Sequence, residues 1–117
     1  MNHEFVVVRI VNTIFLYALR DGASEVKLHA GVLGVQILSV TEGRWREETP
    51  LPLSLWEDLK ARIALMSENW ESPIQLTMQE KSFCCTARLE HEFPHETVVL
   101  TFEEEASASV KASNMPI

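Results

Sequence analysis

Trp56, Leu59, Ile63, Met66 and Trp70 recur at helical spacing in a chain whose other apolar residues mostly alternate. That contrast limits the fold more than any other feature. Steps of three and four residues place these side chains on one helix face, which must be buried against another element. The flanking segments supply that element. Glu25-Val26-Lys27-Leu28-His29-Ala30 alternates polar and apolar, as do Ile74, Leu76 and Met78 with their neighbours. Phe83, Cys85, Ala87 and Leu89 alternate with Cys84, Thr86, Arg88 and Glu90. Period two marks a strand with one buried face. One-sided helix and one-sided strands together predict an α+β domain.

The remaining elements follow from punctuation and period. Ser54-Leu-Trp-Glu57 has the form of a capping box at the start of the striped helix. Val35 to Thr41 reads as a second strand, and Glu42-Gly43 as a hairpin turn into Arg44-Trp45-Arg46-Glu47. Pro50 and Pro52 end that run, because proline cannot donate to a ladder. Gln79 to Ser82 and Pro94 to Glu96 are expected turns, and Thr97 to Phe102 a last strand. The first segment admits two readings. Phe5 to Val11 has the β-branched density of a strand. On a helical wheel, Arg9, Asn12, Thr13, Leu16 and Arg20 form one stripe opposite Val7, Val11, Ile14, Phe15 and Ala18. The longer period favours a helix, stopped by Asp21-Gly22. The expected order is helix, three-stranded meander, helix, three-stranded meander, with a mostly antiparallel sheet covered on one face by two helices. Residues 1–102 form the domain in this reading, and 103–117 an acidic, Ala/Ser-rich flexible tail.

Composition narrows the function classes. A length of 117 residues suits one domain. The net charge of −7, without a basic run, speaks against nucleic acid and anionic membranes as partners. Cys84 and Cys85 are adjacent, so on a strand they point to opposite faces and form no ordinary disulfide. Phe5 to Leu19 is too short, and too interrupted by Arg9, Asn12 and Thr13, for a membrane span. The Met-Asn-His-Glu start lacks the basic region of a signal peptide. A cytoplasmic protein without direct membrane insertion is expected.

Several residues along this order carry a resemblance. Val8-Arg9-Ile10-Val11-Asn12 is followed by Ala18-Leu19-Arg20-Asp21-Gly22-Ala23-Ser24-Glu25 and then Val26 to His29. With Glu42-Gly43, Arg46-Glu47, Pro52-Leu53 and the Arg88 to Phe102 hairpin, these resemble the domain directly ahead of the ATPase core in type II secretion and type IV pilus assembly ATPases. The similarity spans roughly residues 5 to 102. His95-Glu96 stands where that family has a Gly-Glu pair. No Gly-x-x-x-x-Gly-Lys-Ser/Thr loop occurs, and Val35 to Thr41 lacks the arginines that look toward nucleotide in the family. Arg88 alone matches a family arginine of the closing hairpin. The resemblance implies an accessory domain without its motor, docking to such an ATPase or associating with itself.

Cys84, Cys85, His91 and His95 are ligand types without zinc-type spacing, so no metal site or cofactor is expected. Glu90, Glu92, Glu96 and Glu103 to Glu105 supply carboxylates, but turn and tail positions suit solvated charge. No nucleophile elbow is present, and a non-enzyme is expected. Trp56 belongs to the core by its stripe. Trp45, set between Arg44 and Arg46, is the leading anchor for a protein partner. Leu16 and Tyr17 on the first helix offer a second contact surface, and Arg88 a phosphate contact. The alternative reading is a PAS-like small-ligand sensor with a cavity among Met78, Phe83 and Cys85.

Overall fold

The structure, a computed structural model, describes residues 3–92 and 94–105. Helix α1 (His3–Asp21) settles the ambiguity of the first segment in favour of period over propensity. Val7, Val11, Phe15 and Ala18 are buried, while Arg9, Asn12, Thr13, Leu16 and Arg20 stay exposed. Gly22, at φ 72°, ends the helix. Its N–H bonds the Leu19 carbonyl at 3.3 Å, and the Ala23 N–H bonds Ala18 at 2.8 Å, a Schellman closure.

Strands β1 (Glu25–Gly31), β2 (Gly34–Thr41) and β3 (Arg44–Glu47) follow as a meander. A 3-10 turn over Leu53–Leu55 leads into α2 (Trp56–Met66), and β4 (Ile74–Met78), β5 (Lys81–Glu92) and β6 (His95–Glu104) complete the chain. The six strands form one open sheet in the order β3-β2-β1-β6-β5-β4. All of its pairings are antiparallel. The α+β expectation of two helices and a six-stranded antiparallel sheet holds, with the 3-10 turn as an unforeseen addition. Among the described residues no helix is long and apolar enough to cross a membrane.

The register shows which sheet face carries the core. Val26 pairs Ser39 and Leu100, Leu28 pairs Ile37 and Val98, and Ala87 pairs Leu100. The apolar members of these pairs cluster with Val7, Val11 and Phe15 of α1 and with Trp56, Leu59 and Ile63 of α2. Leu28, Leu59 and Leu100 are fully enclosed, each contributing about 1.5–3 kcal/mol by burial. Phe15 meets Phe102 edge-on, ring centroids 6.0 Å apart.

Local expectations needed correction at several element ends. Ser54 and Glu57 do not form a capping box. Leu55 is the N-cap of α2 and no side chain caps it. The 3-10 turn brings the chain into the helix through a Leu55 N–H bond to Pro52, and Glu57 pairs with Lys60 instead. The helix also stops at Met66, before Trp70. Buried Ser67 donates to the Ile63 carbonyl at 2.8 Å and accepts the Trp70 N–H at 3.0 Å, closing a left-handed turn over Glu68, Asn69 and Trp70. Two expected turns are tighter than foreseen, since β5 begins at Lys81 and β6 at His95. The proposed tail boundary moves as well. Glu103 and Glu104 pair with Cys84 and Phe83 in the β5–β6 ladder, and residues 106–117 of the expected tail lie outside the described residues.

Candidate interaction surfaces

Strand alternation puts Trp45 on the sheet face that the helices do not cover. Its cross-strand neighbour is Val40, beyond which lies Glu25, and the next row reads Glu47, Leu38, Lys27, Val99 and Arg88 across the sheet. Trp45 is 52% exposed, and the Lys27 Nζ lies 5.1 Å from its ring centroid. Val99 is buried although no helix packs over it. Its direct cross-strand neighbours are Lys27 and Arg88, long side chains of the kind that cover apolar surface with their stems while their charges reach water. Leu38 and Val40 are half-buried, so an apolar strip runs from Trp45 toward the sheet centre.

Arg44 and Arg46 do not flank the Trp45 ring. Adjacent strand residues face opposite ways, and both arginines stand on the helix-covered side, paired with Thr41 and Ser39. Arg46 binds Asp21 at 3.0 Å and Glu48 at 2.8 Å, tying β3 to the end of α1. The Arg46 hydrogen bond holds the Asp21 carboxyl below its ordinary value. Leu16 and Tyr17, each 50% exposed, lie on α1 and therefore across the sheet from Trp45. The Arg20 guanidinium sits 4.4 Å from the Tyr17 ring centroid. Arg88 shares the open face with Trp45 but is held by Glu90 at 2.9 Å, a carboxylate that a phosphate would have to displace.

Beside α1, over β2 and β3, lies a groove of about 960 Å³. Ile10 and Ile14 form one wall, Val26 and Ile37 the floor, and Leu51 the far side. Arg9, Arg20, Arg46, Asp21 and Glu48 edge it. The sequence reading missed it, because it arises where two helices are too few to cover six strands. A second feature was missed despite a visible signal. Val32 and Leu33, at the β1–β2 turn, are 81% and 101% exposed. An apolar pair between two glycines is an unusual turn composition, and that was the clue.

Several side chains with chemical potential are engaged with one another, while His95 Nδ1 is buried without a hydrogen-bond partner. The Glu96 carboxylate accepts the Trp56 indole N–H and the Lys60 ammonium, both at 2.7 Å, and faces His91 Nδ1 at 2.9 Å. Hydrogen bonds from Lys60 and then Trp56 hold its carboxyl below the usual range. His29 Nδ1 bonds the Thr97 hydroxyl at 2.8 Å, and its ring stacks on His95 at 5.3 Å. Burial pushes the Cys85 thiol up to about 12, and Cys84 is raised by burial and by Glu105 and Glu103. Neither thiol is an activated nucleophile. Among the described residues no group of three metal-ligating side chains converges.

No protein-family model matches the chain, and no curated protein matches it.

Proposed function

We propose that this protein is a non-catalytic interaction module that docks to a protein partner through its open sheet face. The observation that supports this reading is Trp45, half exposed beside Leu38 and Val40 on a face that neither helix covers. An aromatic anchor amid partly covered apolar residues is the usual centre of a binding surface. The resemblance to the accessory domain of secretion and pilus assembly ATPases supports the core of such a motor as the class of partner.

Titration of a purified core of that class with wild-type and Trp45→Ala protein tests the proposal. Truncation should weaken binding about 30-fold, the equivalent of an anchor contributing about 2 kcal/mol. Equal affinities for the two proteins would remove the docking role. The PAS-like sensor draws support only from the groove, which suits a small apolar molecule in size but is lined by none of Met78, Phe83 and Cys85.

A further inference from the structure

We infer that a second copy of this chain seats its β1–β2 turn in the groove beside α1, so that copies associate head to tail. Val32 and Leu33 are almost wholly in solvent and add nothing to the packing of their own chain. Their presentation is nonetheless fixed. Gly34 has φ +140°, and a Cβ there would lie 2.9 Å from the Leu51 carbonyl oxygen, so only glycine fits. Val35 and Leu51 exchange both backbone hydrogen bonds at 2.9 Å just behind the tip. A rigid apolar tip loses little conformational freedom on binding.

The groove is the reciprocal surface. Its volume of about 960 Å³ accommodates two aliphatic side chains, and Ile10, Ile14, Val26 and Ile37 offer them apolar contact. Charge is matched too. The rim holds Arg9, Arg20 and Arg46 against Asp21 and Glu48, a local excess of one positive charge on a chain of net −7. The tip end is acidic. Glu57 and Glu96 line a recess together with Gly31 and share Lys60, and Glu92 pairs His95 in the same region, so carboxylates there outnumber that ammonium. Tip and groove are different patches, so each contact leaves one of each unused and association continues into a ring or filament.

Sedimentation of the full chain over a wide concentration range tests this inference. Wild type should rise with concentration above the 13.3 kDa of one chain. Leu33→Asp removes the tip, and Thr13→Glu, at an exposed groove position, cancels the positive excess of the rim. Both keep the wild-type melting curve, and each alone stays monomeric. Val32→Asp repeats the first loss. Mixed in equal amounts, Leu33→Asp and Thr13→Glu retain one working groove and one working tip, and should form a dimer that grows no further. Trp45→Ala should assemble as wild type does, which separates this outcome from the docking role of the open face. Wild type that stays monomeric throughout, either variant assembling alone, or a mixture that does not pair would overturn the inference.

Discussion

At Glu96 a single carboxylate joins three elements. It takes hydrogen bonds from Trp56 and Lys60 of α2 and faces His91 of β5. Its carboxyl is depressed in the fold, first by Lys60 and then by Trp56, and returns to the ordinary range on unfolding. The stabilisation is therefore complete above the ordinary carboxylate pKa and is lost as pH falls through the lower, folded value. Glu96→Gln should cost about 1 kcal/mol at neutral pH and flatten the decline in stability from neutral pH into the acid range. Urea unfolding across that range is the check, and an unchanged acid slope in the variant would contradict the assignment. Nothing local in the sequence reveals this cluster, since Trp56 and Glu96 lie forty residues apart. The separation of Trp45 from Arg44 and Arg46 was different. Strand alternation alone places them on opposite faces, so that fact is legible in the sequence.

Among the elements, α1 was readable because its stripe spans the whole segment and outweighs the β-branched run at its start. Turns were readable where glycine marked them. Glu42-Gly43 was foreseen as a hairpin, and both residues have positive φ, at 54° and 77°. Gln79 and Glu80 adopt the same left-handed pair, at 52° and 65°, without glycine or asparagine to signal it. That conformation is strained for a residue with a Cβ. Glu80→Gly should stabilise the protein by about 0.5–1 kcal/mol, raising the melting temperature by a few degrees. Thermal unfolding followed by circular dichroism tests it; an unchanged or lower midpoint would mean that the turn carries no such strain. Helix α2 was legible by period but not at its ends, where a 3-10 turn and Ser67 replace the expected cap and the last turn.

For the molecule as a whole, β1 and β6 lie side by side at the sheet centre and join the two meanders into one core. Local patterns predict strands and cannot predict that pairing, which depends on contacts far apart in the chain. One core implies one cooperative transition. Leu59→Ala, at a position without solvent exposure on α2, should cost about 2–5 kcal/mol and shift sheet and helix signals together. Separate transitions for the two would show that α2 unfolds independently. Trp45→Ala, by contrast, should leave folding stability within about 0.5 kcal/mol of wild type, because its effect belongs to binding. The most direct test of the docking face is an amide and indole NMR map recorded as the purified motor core is added. Shifts should centre on the Trp45 indole and spread over Leu38, Val40, Lys27 and Val99. Shifts confined to α1 and its groove, with Trp45 undisturbed, would contradict the account.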